Sequence, residues 1–183
     1  MADNNSVFGN DRHIVLSGGI DAESMGKIIL GIKLIEEDDD KQEMQVKDFK
    51  RKPIHLYIST HGGSVYAALS LIDVMDSCRT PIYTYGYGNI MSAGNYIFLA
   101  GDRRFCGKYA TFMMHETAAS INDYSSILTK KTEELDRLNL ILDDIVASRT
   151  KVGEKLLKKW KAEREVYIDA NEALKLGFVH QIL

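Results

Sequence analysis

Apolar positions along this chain form short runs that alternate with stripes at helical spacing. Residues 13–16, His-Ile-Val-Leu, predict a short strand, Ser17-Gly18-Gly19 a turn, and Asp21 an N-cap. Met25, Ile28, Ile29, Ile32 and Ile35 then recur with the period of an amphipathic helix. That helix is expected to end in Glu36-Glu37-Asp38-Asp39-Asp40. From there to Lys52 the chain is polar and charged and reads as a solvated loop. Nothing in the acidic run fixes the geometry that a metal ion would need.

Residues 54–58, Ile-His-Leu-Tyr-Ile, predict a second strand, followed by Gly62-Gly63 and a helix from Ser64 to about Asp76. Residues 81–86 predict a third strand, and a Gly-containing turn leads into a helix that starts near Met91 and ends by Gly101. Residues 111–114 predict a fourth strand. A long helix is expected from about Asp123 to Ser148, with Leu135, Leu138, Leu142, Ile145 and Val146 on its apolar stripe. A charged helix (Glu154–Arg164), a helix at Asn171–Leu176 and a last strand over 178–182 complete the pattern. Strand and helix alternate, which implies an α/β fold with largely parallel strands. In such folds ligands bind beyond the carboxyl ends of the strands.

The 183 residues suit a single domain with a sizeable core. A net charge of -3 gives no basic footprint for nucleic acid. The Lys-dense stretch from Lys151 to Lys161 reads first as the solvated face of a helix. Cys78 and Cys106 share no metal-like spacing and read as reduced thiols. No apolar run approaches the roughly 20 residues of a membrane span. The first residues show no basic segment followed by an apolar one, so a cytoplasmic location is expected.

Three segments sit where an apolar run gives way to a turn or helix. Gly62-Gly63-Ser64-Val65 offers backbone amides, Ser92 a hydroxyl, and His115 an imidazole at the end of Met113-Met114-His115. Each alone has an ordinary structural explanation: a turn, a helix cap, a core histidine. Together they are the parts of a serine acyl-transfer site, with Ser92 as nucleophile, His115 as general base, and N–H groups of Gly63 and Ala93 facing an oxyanion. The third member must be an acid that holds the imidazole tautomer, and Glu163, Glu165 and Asp169 are the candidates near the C-terminus. His13, His55, His61 and His180 are assigned no chemistry. No histidine pair has zinc-ligand spacing, and no cofactor is expected.

These segments resemble the proteolytic subunit of the Clp protease, the ClpP family. The family's Ser-Pro-Gly-Gly-Ser-Val is similar to Thr60-His61-Gly62-Gly63-Ser64-Val65. Its Gly-x-Ala-Ala-Ser-Met-Gly is similar to Gly88-Asn89-Ile90-Met91-Ser92-Ala93-Gly94, and its Met-His-Gln-Pro to Met114-His115-Glu116-Thr117. Its ending resembles Ala173-Leu174-Lys175-Leu176-Gly177-Phe178-Val179-His180. The resemblance implies a ClpP/crotonase-like fold of stacked ββα units with a protruding handle over about 117–148.

The resemblance also implies a serine endopeptidase acting on unfolded polypeptide inside heptameric or double-ring tetradecameric assemblies, fed by an AAA+ Clp ATPase. Ser92 and His115 keep the family's roles, and the family's aspartate falls on Glu165. Gly62, Gly63, Ser64, Val65, Ala93 and Thr117 would bind the oxyanion and an extended substrate. Departures are Glu165 in place of aspartate, His61 in place of proline, and Ala118-Ala119-Ser120-Ile121-Asn122 in place of a Gly-rich strand. They point to a divergent branch, phage-encoded or accessory. Two rival functions remain: a catalytically weak or inactive subunit that co-assembles with an active homologue, and an acyl-CoA enzyme of the crotonase type.

Overall fold

The computed structural model describes residues 8–9, 12–115 and 125–183. Its core is one mixed sheet with helices packed on it. β1 (Phe8–Gly9) pairs antiparallel with β2 (His13–Ile20). β2 then pairs parallel with β3 (Ile54–Gly63), and β3 with β4 (Ile82–Met91). β3, most of β4 and the first half of β2 alternate buried and more exposed positions, as a sheet covered on one face requires. Ile14, Leu16, Leu56, Ile58 and Ile82 point into the core.

The sheet divides along β4. The first half of β4 pairs with β5 (Arg103–Cys106), which pairs in turn with β8 (Gln181–Ile182). Its last residues, Asn89 to Met91, pair instead with β6 (Thr111–His115). β7 (Glu165–Asp169) closes antiparallel on β6. The change of partner follows Gly86 and Gly88. Gly86 sits tightly against the Ile90 and Phe98 side chains, and Gly88 has φ +64. β4 can therefore turn out of one ladder and into the next.

The helices are α1 (Ala22–Gln45), α2 (Val65–Ser77), α3 (Ala93–Leu99), α4 (Ser125–Arg149), α5 (Glu154–Glu163) and α6 (Ala170–Leu176). Asp21 caps α1 as expected, in a reciprocal box with Ser24. The α/β class is as the alternation predicted, and the arrangement fits the ClpP kind of fold. In α4, Thr129 to Lys131 are exposed, and the buried stripe is Leu138, Leu142, Ile145 and Val146. Residues 116–124, the start of the expected handle, lie outside the described residues.

Several boundaries move. β2 runs on through Ser17-Gly18-Gly19, the predicted turn, with an irregularity in its register there. β5 and β7 were not foreseen, and the last strand contracts to two residues.

The acidic run is the clearest correction. It is not a solvated loop but the second half of α1, with Asp39 0% and Glu36 9% exposed. Arg12 holds Asp39 through two contacts, and the Thr80 hydroxyl donates to it at 2.6 Å. Arg51 bridges Asp40 and Glu43, and the Arg79 amide donates to Glu36 at 2.8 Å. Burial pushes the Asp39 carboxyl up, but the bonds from Arg12 and Thr80 outweigh it and hold it below the usual carboxylate range.

Candidate active site

The site forms where β3, β4 and β6 end side by side. Ser92 sits between β4 and α3 at φ 52 and ψ -125, one of three described non-glycine residues at positive φ. A sharp turn of that kind lifts a hydroxyl clear of strand and helix. The turn is fixed by the Ser92 N–H, which donates to the Met113 carbonyl at 2.8 Å. Ser92 makes no side-chain capping bond. Its Oγ faces His115 Nε2 at 2.6 Å instead.

Gly62 and Gly63 close over this turn. A Cβ on Gly62 would come 2.7 Å from Ser92 Cβ and 2.9 Å from the Met91 carbonyl oxygen. The residue also has φ +97, so only glycine fits. A Cβ on Gly63 would strike the Ile20 backbone. Thr60 Oγ1 accepts from the Gly62 N–H at 3.0 Å and donates to the Gly18 carbonyl, pinning the bend. Ala93 is the first residue of α3, where an N–H has no intrahelical acceptor.

The Ser64 hydroxyl is engaged in capping α2, accepting from the Ala67 N–H at 3.3 Å. Gly62, Gly63, Val65, Ser92 and His115 all line one cleft of about 460 Å³, with Gly19, Ile20 and Met113. His61, assigned no chemistry from sequence, is exposed on the rim of the same cleft. Thr117 lies outside the described residues.

His115 needs an acid on Nδ1. In the antiparallel register of β6 and β7, Glu165 stands directly opposite His115. Directly opposed residues hold their Cβ atoms about 5 Å apart, within reach of a carboxylate. In this structure, however, Glu165 Oε2 accepts from the Tyr167 hydroxyl at 3.2 Å, and no described carboxylate bonds the His115 ring. The other two candidates are engaged elsewhere. Glu163 pairs with Lys159, and Asp169 caps α6.

The remaining histidines have structural partners that sequence did not reveal. His13 and His55 stack at 4.8 Å on the outer sheet face and bond the hydroxyls of Tyr57 and Tyr85. His180 Nδ1 accepts from the Arg104 N–H. Among the described residues no cluster of three or more His, Cys, Asp or Glu side chains could hold a metal ion. No described helix is long and apolar enough to cross a membrane.

A family model described as Clp protease matches residues 1–183. The chain belongs to the Clp protease family. It is 27% identical over 177 residues to ATP-dependent Clp protease proteolytic subunit 2 of Treponema denticola, covering 96% of this chain and 83% of that protein. It is 28% identical over 176 residues to the ATP-dependent Clp protease proteolytic subunit of Deinococcus radiodurans, covering 94% and 80%. It is 28% identical over 143 residues to a proteolytic subunit 2 of Borreliella burgdorferi, covering 76% and 71%. At such identities the chain is a divergent member of the family.

Proposed function

We propose that this chain is a serine endopeptidase that cleaves unfolded polypeptide inside a ring of its own copies in the cytoplasm. The observation that carries the reading is the 2.6 Å contact between Ser92 Oγ and His115 Nε2, two residues that line the same open cleft. Neutral His115 accepts the Ser92 proton as Oγ attacks the scissile carbonyl carbon. The oxyanion faces the N–H groups of Gly63 and Ala93, donors worth about 3–4 kcal/mol each in such a transition state. The imidazolium gives its proton to the leaving amine, and an ester remains on Ser92. Water, deprotonated by His115, releases the acid product.

Glu165 serves as the orienting acid once its carboxylate turns from Tyr167 to His115 Nδ1. The register supports this role, since it sets Glu165 directly opposite His115 on the neighbouring strand. An extended substrate runs along Gly63–Val65, pairing with the backbone. By family, the rings are heptamers or paired heptamers, and an AAA+ Clp ATPase feeds them.

One observation favours a second reading. The Glu165 carboxylate is bonded to Tyr167 and not to His115, as it would be in a subunit that assembles but contributes little catalysis. Intact mass after incubation with a fluorophosphonate, beside a Ser92→Ala control, separates the two. One adduct, absent from the control, is expected of the peptidase. A folded, assembled protein with no adduct identifies the inactive subunit.

A further inference from the structure

α3 is seven residues long and wholly buried, and Asn95 is its one amide side chain. Asn95 is 0% exposed. Its Nδ2 donates to the Met113 carbonyl at 2.6 Å and to the Ser92 carbonyl at 3.2 Å. Its backbone N–H also donates to the Ser92 carbonyl, at 3.0 Å. The Met113 carbonyl therefore binds the serine-bearing turn twice, through the Ser92 N–H and through Asn95. Met113 lies two residues before His115 on β6. The amide orientation is set by its neighbours, because the reverse would put Oδ1 against two carbonyl oxygens.

Asn95 Oδ1 has no hydrogen-bond partner among the described residues. A buried acceptor left unpaired is costly, and an apolar side chain of similar size would avoid that cost. What an apolar side chain could not do is tie the carbonyl of Ser92 to the strand that carries His115. Ser92 is held at φ 52, a conformation that persists only where its surroundings over-determine it. We propose that Asn95 is a positioning residue that sets the Ser92–His115 distance by bracing the nucleophile's turn against β6. The inference rests on the peptidase reading above and adds a residue to it.

Asn95→Ala is the test, with two readouts. The first is the rate of fluorophosphonate labelling and peptide turnover, measured beside thermal stability and assembly. We expect a variant that folds and assembles with KM near wild type but with labelling and kcat lower by about tenfold or more, since small misplacements in a catalytic pair carry losses up to roughly 10²-fold. The second is a crystal structure of the variant, in which Ser92 Oγ and His115 Nε2 should separate beyond hydrogen-bond reach of about 3.2 Å. Should the alanine variant not fold, Asn95→Ser, a smaller change whose hydroxyl is too short to span both carbonyls, takes its place with the same expectations.

A folded variant with wild-type labelling, or one with the Ser92–His115 contact intact, overturns the proposal. If wild-type protein is not labelled at all, the peptidase reading fails, and the crystallographic distance still decides the role of Asn95.

Discussion

Gly62 has no space for even a methyl group, and what it would strike is the nucleophile itself. The glycine pair thus does two things: it presents amides to the cleft, and it lets β3 approach the Ser92 turn. Gly62→Ala, compared on protein that folds and assembles, puts its Cβ against Ser92, Met91 and Ala93 at a strained φ of +97. It should lower fluorophosphonate labelling by about 10²-fold through displacement of Oγ. Labelling at the wild-type rate would show that the close approach is not needed. Glu165 and Tyr167 form a second pair open to test. Glu165→Gln keeps size but removes the charge that stabilises the imidazolium, and kcat should fall at least about tenfold. Tyr167→Phe removes the competing hydroxyl and should leave kcat unchanged or raise it. A loss from Tyr167→Phe as large as that from Glu165→Gln would mean that the two act as one unit and that Tyr167 is not a competitor.

Among the elements, α1 shows where sequence patterning succeeds and where it stops. Its first half was legible because Met25, Ile28 and Ile32 repeat every three or four residues and are buried. Its second half was not, because the partners that make Asp39 and Asp40 tolerable in a packed helix come from Arg12, Arg51, Arg79 and Thr80, remote in sequence. β5 and β7 were hidden for a similar reason. Arg103, Arg104 and Glu165 break the apolar alternation that marks a strand, and only their neighbours in the sheet make them one. Ser92 and His115 stood out because each ends an apolar strand, where chemistry is exposed. Asn95 offered just one sign, an amide inside Ala93–Leu99, and its meaning depends on carbonyls brought in by β6.

The Asp39 network has a measurable cost. Removing one partner of a buried ion pair strands the other, so Asp39→Ala should destabilise the fold by about 3–5 kcal/mol in urea unfolding. The folded-state pKa of Asp39 is depressed, so its contribution is present above the unfolded value, about 4, and is lost as pH falls through the lower folded value. A change within about 0.5 kcal/mol, the range of ordinary surface substitutions, would return the acidic run to the status of a solvated helix face.

Across the molecule, one buried guanidinium and one imidazole reinforce the joining of the C-terminal segment to the sheet, which β7 and β8 make through their backbones. Arg104 donates to the carbonyls of Phe178 at 2.7 Å, Arg149 at 2.8 Å and Gly177 at 2.9 Å, fastening the end of α4 and the end of α6 to β5. Burial, and next the charge of Arg149, lowers the guanidinium pKa to about 10, so it stays charged at neutral pH. The Arg104 N–H donates to His180 Nδ1, and that nitrogen cannot take a proton while the bond is made. Burial first, then the positive charges of Arg104 and Arg103, lower the pKa of His180. Burial and then His13 lower that of His55, whose ring stacks on the outer face of the same sheet.

For both histidines the unfolded chain binds the proton more readily than the folded one. Their neutral forms therefore support the fold fully above the unfolded value, about 6.5, and that support declines as pH falls below it. Urea midpoints should drop between about pH 7.5 and 6, a window in which ordinary carboxylates stay ionised and contribute no slope. The double variant His55→Phe, His180→Gln should flatten the profile, since glutamine can still accept from the Arg104 N–H without titrating. If the double variant keeps the wild-type slope, protonation of these two rings is not what couples the stability of the fold to pH.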